Sequence, residues 1–544
     1  MALALDLLKQ LRWQAALDVF QAIRSDAPEN IEITPHIASC LMALGRYKEA
    51  LAQALLAISQ NPAAWQPLHT AALALRMTGK LKESLQLLAQ VHQQFPDVAE
   101  IRRDYGDFVC KVLGDWQLAE AIWQPLQGQP EFAYDLDWFH LKRRIYGGGL
   151  KAEDLAQDIF AFSRDHLAAN FPVEETNGFL ANLTVAPDKT KTRKRIGLIA
   201  TFFRATPVYY LCFGALKNLA DDYDLIFFSR ETIEDWATQA FKSIAKDWHD
   251  VKPLSPADLS AFLRAQELDV LIDMCGWLDQ RVLQALGSRP ATRLYKWVGG
   301  QSSSTGLAIF DGFFSDQHQS PLQFQRLYSE PLILLDSGYA SYTPPAYLPA
   351  PIPSNDVDRR RVGVISHPMK VSQSFLIYLR QHMRSIRQNA ERPISLCFIG
   401  WRYGLPVLQQ RLLAAFKPYV ELAGEWLNIK FIPTHGHEAF LKEVSGMDWI
   451  VDTFPYTSGV TALEALALGV PCRTRAGTLF SERHAYSHCR FSGLKDEDID
   501  LNRLGPFSSP THPKNGQTLL PANCPRSNHA AVADAMASVF ENSR

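Results

Sequence analysis

The 544-residue sequence has little that would staple or anchor it. Its eight cysteines (Cys40, Cys110, Cys212, Cys275, Cys397, Cys472, Cys489 and Cys524) are scattered, with no CxxC pair. That spacing argues against a disulfide framework and against a structural zinc site, and most of the thiols suit reduced core positions. No run of roughly 18 apolar residues occurs, so no transmembrane helix is expected. Met1–Gln10 lacks a basic start and a small-residue cleavage site. No secretory signal is therefore expected, and the cytoplasm is the expected compartment. The formal net charge is only −2, which gives nucleic acid no electrostatic footprint. No Asp-x-Asp pair stands at the end of an expected strand: Asp135-Leu136-Asp137, Asp356-Val357-Asp358 and Asp498-Ile499-Asp500 all fall outside such positions.

What is present begins with a repeat. Pro28, Pro62 and Pro96 stand 34 residues apart; Leu11, Gly45 and Gly79 keep the same spacing, with Gly114 one residue late. Two residues after each comes a bulky side chain (Trp13, Tyr47, Leu81, Trp116), then a small one (Ala16, Ala50, Ser84, Ala119). A small residue lets two helices cross closely and a proline ends the second helix, a pattern that resembles tetratricopeptide repeats. Residues 1–130 are therefore expected to form an all-α solenoid whose groove takes a peptide or partner protein. The plainer alternative is a short solenoid that only caps the rest of the chain. Residues 131–190 read as a helical transition, and the charge run Lys189–Arg195 as a solvated approach to a strand.

From Arg195 the pattern changes to alternating strands and helices. Strands are expected at Ile196–Phe203, Leu225–Ser229 and Asp269–Met274, with shorter ones at Arg293–Val298 and Gly312–Ser315 and helices such as Pro256–Gln266 between them. This implies βαβ units and a parallel sheet over residues 191–342. Five prolines (Pro344, Pro345, Pro349, Pro351, Pro353) mark residues 343–359 as a stiff linker. A second α/β domain is expected over 360–544, with strands at Arg361–Ile365, Ser395–Ile399, Asn428–Ile432 and Trp449–Asp452. Gly505–Ser527 reads as a surface loop and Ala530–Phe540 as a final helix. Two doubly wound, Rossmann-like domains joined by a linker make the GT-B architecture, with its ligand in the cleft at the carboxyl ends of the strands.

One stretch, Val451 to Pro471, carries most of the chemistry. It reads as a buried strand end, a loop of small and hydroxyl residues (Thr453, Thr457, Ser458, Gly459), and a helix from Val460 that stops at Gly469. Such a turn leaves backbone N–H groups unpaired at the positive end of the helix dipole, which suits a phosphate. Glu464, three residues beyond Thr461, is placed to accept from a sugar's hydroxyls. An ordinary strand-loop-helix with a solvated Glu464 has the same pattern.

The Val451–Pro471 segment resembles the nucleotide-binding motif of glycosyltransferase family 41, which holds the O-GlcNAc transferases and the bacterial adhesin N-glycosyltransferases. The resemblance runs from about Arg195 to about Gly493. It is carried also by Leu268–Trp277, by Ser288-Arg289-Pro290-Ala291, by Trp297-Val298-Gly299-Gly300 leading into the loop Gln301–Gly306, and by Tyr328-Ser329-Glu330. It implies a UDP-sugar site in the second domain, with phosphate contacts at Val460 and Thr461 beside Ser458 and Gly459, and a ribose-binding carboxylate at Glu464. Lys370, in Ser366-His367-Pro368-Met369-Lys370, matches a family lysine that contacts the diphosphate, with His367 in the same site. The loop Phe431–Phe440 is the expected base-binding element, carrying His435, His437 and Phe440. Phe440 falls where these families have a histidine or a tyrosine, and His437 takes the place of a lysine. His435 and His437 have the spacing of a metal pair, but no carboxylate cluster accompanies them. No metal site is assigned, and no cofactor is expected beyond the UDP-sugar donor.

The acceptor side departs from the family. Thr206, in Arg204-Ala205-Thr206-Pro207, stands where the O-GlcNAc transferases have a histidine, and Gly300–Gly306 contains none of the adhesin enzymes' histidines. His249 lies close to another family histidine, one residue out of register, and stands with Lys370 as a catalytic candidate; no general base is assigned. The expected activity is inverting, metal-independent transfer of GlcNAc or glucose from a UDP-sugar to Ser, Thr or Asn of a protein that the repeats engage. The alternatives are a catalytically inactive GT-B protein that binds partners through its repeats, and a UDP-sugar hydrolase or epimerase on the same scaffold.

Overall fold

The computed structural model describes residues 1–10, 12–148, 151–168, 193–231, 233–353, 358–389, 392–499, 516–520 and 524–542. Leu11, residues 169–192, part of the Asp356-Val357-Asp358 and Asp498-Ile499-Asp500 pairs, and most of the expected 505–527 loop lie outside them. The chain divides into two compact units, Met1–Leu136 and Asp137–Arg544.

The first unit is helical throughout its described length, each helix packing on the one before it. Helices Trp13–Asp26, Tyr47–Gln60 and Leu81–Gln94 each run 14 residues and begin 34 residues apart, so the sequence period is a structural one. Ala16, Ala50, Ser84 and Ala119, expected at helix crossings, have no exposed surface. The Ser84 hydroxyl donates to the Ala72 carbonyl at 2.7 Å, which satisfies the one polar group at such a crossing. Gly45 and Gly79 adopt φ of +76° and +83° at the turns before the second and third of these helices, where a Cβ would be strained. The fourth repeat is irregular: helix Ala99–Phe108 widens into a π-turn, Val109–Leu113, before helix Trp116–Trp123.

The second unit contains two parallel sheets. The first is built from β1 (Arg195–Ala200), β2 (Asp224–Ser229), β3 (Asp247–Asp250), β4 (Val270–Asp273), β5 (Arg293–Lys296), β6 (Gly312–Ser315) and β7 (Leu332–Leu334), in the order β3-β2-β1-β4-β5-β6-β7. The second is built from β8 (Arg360–Val364), β9 (Ile394–Ile399), β10 (Leu427–Ile432), β11 (Trp449–Val451) and β12 (Cys472–Arg473), in the order β10-β9-β8-β11-β12. The inner strands are buried along nearly their whole length, as strands covered on both faces must be. In each sheet the strand order reverses beside its first strand, at β1/β4 and at β8/β11. Crevices open at such points, beyond the carboxyl ends of the strands.

Three strands escape the hydrophobic pattern: β3 is Asp-Trp-His-Asp with exposed ends, and β7 and β12 are only three and two residues long. The final helix, His529–Asn542, corrects the assignment of all of 360–544 to the second sheet. It packs on helix Pro207–Leu219, and Phe540 meets Tyr295 and Phe314 of the first sheet and Tyr223 just before β2. Its buried stripe of Val532, Ala533, Met536 and Phe540 marks an amphipathic helix without saying which sheet it covers.

Candidate functional site

The loops that leave β8 and β11 meet at the switch point of the second sheet. Asp452 follows β11 and is buried; its carboxylate accepts from the backbone N–H of Thr453 at 2.9 Å, of Ser458 at 2.9 Å and from the Thr474 hydroxyl at 2.9 Å. These bonds fold residues 453–458 back over the strand end. Ser458 is locked further by its hydroxyl, 3.0 Å from that of Ser366 beyond β8. Burial pushes the Asp452 carboxyl above its usual range, while the Ser458 bonds and Lys370 pull it back.

The loop delivers the chain into helix Val460–Ala467, whose start at Gly459 carries no side-chain cap. A Cβ built on Gly459 would meet no heavy atom within 4 Å, so the positive end of this helix faces open space. Val460 is buried and Thr461 partly exposed on the first turn. The helix ends at Ala467, with Gly469 at φ +71° beyond it, the left-handed residue that the sequence places there.

Lys370 enters from the turn Pro368–Lys370 after β8. Its Nζ donates to the Thr457 carbonyl at 2.7 Å and stands 4.2 Å from the centre of the Tyr456 ring. Burial pushes its pKa down to about 8, against the opposing pull of Asp452. His367 caps the same turn, its Nδ1 accepting from the Met369 N–H at 3.1 Å. Burial, with Arg402 and Lys370 nearby, holds the imidazole well below its ordinary value, so it is neutral. Tyr456 stacks face to face on Tyr146 at 4.6 Å, which fixes the ring that the Lys370 ammonium faces.

Glu464 lies on the inner side of the helix, 1% exposed. Its Oε1 is 2.7 Å from His437 Nε2, and its Oε2 is buried with no hydrogen-bond partner among the described residues. His437 opens helix His437–Ser445, with Phe440 near-parallel to it at 6.3 Å and His435 exposed on the preceding loop. Lys370, the 453–461 loop, Glu464 and His437 thus converge on one end of the second sheet.

His249 does not join them. It lies on edge strand β3, stacked on Phe228 at 5.4 Å and edge-on to Phe262 at 5.3 Å, and burial lowers its pKa. The strand pleat turns the ring toward Phe262 of helix Pro256–Ala265. Thr206 stands at the N-cap position of helix Pro207–Leu219 without a side-chain cap bond, its hydroxyl donating instead to the Phe202 carbonyl at 3.3 Å. The loop Gln301–Thr305 is buried and organised by Glu330, which accepts from Thr305 N–H and Oγ1, Ser304 Oγ and Ser329 Oγ. Ser481 ties this loop to the one that follows β11: its N–H donates to the Ser302 carbonyl at 3.0 Å and its carbonyl accepts from Thr457 N–H at 2.8 Å. Among the described residues no group of three or more His, Cys, Asp and Glu side chains could hold a metal ion.

Sequence reasoning missed Asp452, Tyr456, Tyr146 and Tyr347. Asp452 had a local signal, an acid at a strand end before a hydroxyl-rich loop; Tyr146 and Tyr347 enter from segments read only as transition and linker.

No protein-family model matches the chain. Curated relatives do. The "Probable UDP-N-acetylglucosamine--peptide N-acetylglucosaminyltransferase SPINDLY" of Petunia hybrida is 25% identical over 298 residues, covering 52% of this chain and 31% of the relative. Its counterpart of the same name in Solanum lycopersicum is 24% identical over 326 residues, covering 57% of this chain and 33% of the relative. The aligned part of the chain thus spans about a third of the length of these relatives. Among solved structures, a variant of the Thermobaculum terrenum O-GlcNAc transferase superposes with a TM-score of 0.74 at 20% identity, covering 94% of this chain and 90% of that one. The fold is therefore that of helical repeats followed by a GT-B pair of Rossmann-like sheets, and the resemblance to the O-GlcNAc transferases holds in both sequence and fold.

Proposed function

We propose that this chain is an inverting glycosyltransferase that moves a sugar, GlcNAc or glucose, from a UDP-sugar to a protein side chain. One observation carries the reading: Lys370 reaches the loop whose uncapped helix start faces open space and bears Glu464 one turn on. In a single in-line displacement, the acceptor's oxygen or nitrogen attacks the anomeric carbon and the bond to the β-phosphate oxygen breaks. The electron pair leaves with UDP, the acceptor's proton is released to solvent, and Lys370 with the helix start stabilises the charge that develops on the leaving group. Because that positive charge comes from the chain itself, the proposal includes no metal and no cofactor beyond the donor. His435, His437 and Phe440 border the space for the base, and Glu464 the space for the ribose. The acceptor protein is recruited by the helical repeats. A cytoplasmic setting fits eight cysteines that are all buried and form no disulfide.

The test is calorimetric titration of UDP in EDTA on the wild type and on Lys370→Ala. Loss of a charged hydrogen bond should weaken binding by roughly 1.5–3 kcal/mol. Absence of UDP binding by the wild type would overturn the reading. A second reading, a nucleotide-binding protein without turnover, is favoured by the Thr206 hydroxyl being taken up by the Phe202 carbonyl and by the His249 ring packing on Phe228 and Phe262. UDP binding with no transfer from labelled UDP-GlcNAc or UDP-glucose to candidate acceptor proteins would select it.

A further inference from the structure

The unpartnered oxygen of Glu464 is embedded in a chain of hydrogen bonds that runs out to the linker. Tyr347, in the proline-rich stretch between β7 and β8, places its hydroxyl 2.8 Å from His437 Nδ1. Tyr210, on helix Pro207–Leu219, places its own 3.3 Å from that of Tyr347 and 3.4 Å from the same nitrogen. His437 Nε2 closes the chain on Glu464 Oε1 at 2.7 Å.

The direction of the protons is set by the acceptor at the end. A carboxylate oxygen accepts, so His437 Nε2 carries the proton between them; in the tautomer that leaves Nδ1 bare, that nitrogen takes the Tyr347 hydroxyl proton. Tyr210 in turn donates to the Tyr347 oxygen, and burial raises the Tyr210 phenol far above its usual range, which keeps it a donor. Every proton in the series points toward Glu464. The result is a carboxylate with one oxygen tied and the other bare, although it is 1% exposed. A bare, buried acceptor calls for a donor from a ligand, and a hydroxyl is the donor that a nucleotide sugar ring offers.

We infer that Tyr347 and His437 are positioning residues, which fix Glu464 through Oε1 so that Oε2 is presented to one ribose hydroxyl of the bound nucleotide. The inference rests on the proposed nucleotide reading and assigns the linker a part in it. Comparable partners that orient a ligating side chain are worth about 10-fold or more in affinity in metal sites. The effect here should be smaller, because a single neutral hydrogen bond is removed.

The experiment titrates UDP, 2′-deoxy-UDP and 3′-deoxy-UDP against the wild type, Tyr347→Phe, His437→Ala and His437→Gln. One deoxy nucleotide should bind the wild type about 10-fold or more weakly than UDP, because it leaves Oε2 unpaired. Tyr347→Phe should weaken UDP about 3- to 10-fold yet leave that deoxy nucleotide within about twofold of its wild-type affinity, since the hydroxyl being positioned for is gone. His437→Ala should behave likewise with a larger effect, and His437→Gln, whose amide can still donate to Glu464, should restore part of the loss. A structural role for these residues would weaken all three nucleotides alike, and that result, or unchanged UDP binding in both Tyr347→Phe and His437→Ala, would overturn the inference while leaving the nucleotide site intact. Should Tyr347→Phe fail to fold, the two His437 variants decide the matter by the same comparison. Absence of UDP binding by the wild type would instead remove the reading on which the inference stands.

Discussion

Raising the pH should discharge Lys370 within the range the fold survives, and UDP binding should report it. Burial has pushed the ammonium's pKa down to about 8, so in the free protein the charge is half lost there. A diphosphate drawn against Lys370 favours the charged form. If the contact contributes roughly 1.5–3 kcal/mol, the pKa in the complex rises by about 1–2 units, to about 9–10. Linkage then sets the profile: affinity is flat below about pH 7.5, falls with a slope approaching tenfold per pH unit between the two pKa values, and levels off about 10- to 100-fold weaker. Binding should take up a proton, most strongly near pH 8.5–9, which is measurable by titration in buffers of different ionisation enthalpy. Loss of fold does not mimic this. The folded pKa of Lys370 lies below the unfolded one, so its burial costs stability below about pH 8, and that cost is relieved as pH rises toward the unfolded value. Lys370→Arg should bind UDP with a flat profile over the same range, and Lys370→Met with a flat, weak one. A wild-type affinity that holds to pH 10, or an equal decline in Lys370→Arg, would refute the assignment of the charge to this lysine.

Buried groups elsewhere in the chain carry further consequences. Arg526 is paired with Asp316 at 2.9 Å, both without exposed surface, so Arg526→Met strands a buried carboxylate and should cost about 3–5 kcal/mol, read as a lowered urea midpoint. Gly300, at φ +60°, would bring a Cβ to 2.0 Å from the Cys275 carbonyl oxygen; Gly300→Ala should cost about 2–5 kcal/mol and be seen as a fall in melting temperature or in soluble yield. Ala50 has no exposed surface at its helix crossing, so Ala50→Phe overpacks it by about 1–3 kcal/mol, and hydrogen exchange in helix Tyr47–Gln60 should quicken.

How much of this is legible in the sequence depends on the reach of each interaction. The repeat is written locally, in Pro28, Pro62 and Pro96 and in the small residues at each crossing, and the helices keep that period. The long buried strands are legible because Ile196–Ala200 or Ile394–Ile399 have apolar side chains on both faces. β3 is not, since it is an edge strand whose Trp248 and His249 are only partly buried and charged residues flank them. The loop from Asp452 to Gly459 and the turn holding Lys370 can be read because each closes within a few residues. Tyr347 pairs with His437 across 90 residues and Tyr210 with His437 across 227, and no local period encodes such contacts. The same holds for the last helix, whose apolar stripe fits either sheet.

The two sides of the cleft are organised by opposite principles. On the donor side groups are held with capacity to spare: Lys370 has three ammonium protons, one of them on Thr457, and Glu464 keeps one oxygen bare. On the acceptor side the corresponding groups are committed. Glu330 accepts from four donors, Lys296 donates to the carbonyls of Asp273, Trp297 and Gly299, and His249 lies between two rings. His484, which approaches Tyr456, is held neutral by burial, its pKa pushed down to about 3, and so is a weak base. Catalytic power in the proposed transfer therefore has to come chiefly from the departing diphosphate, where preorganised positive charge acts as the bond to the sugar lengthens. The strap through Ser481 makes that preorganisation common to both sheets: it pins the peptide of Thr457, which holds Lys370, to the loop of Ser302 opposite. A displacement of either loop would be passed to the lysine, so the geometry of the leaving group is set by both halves of the cleft.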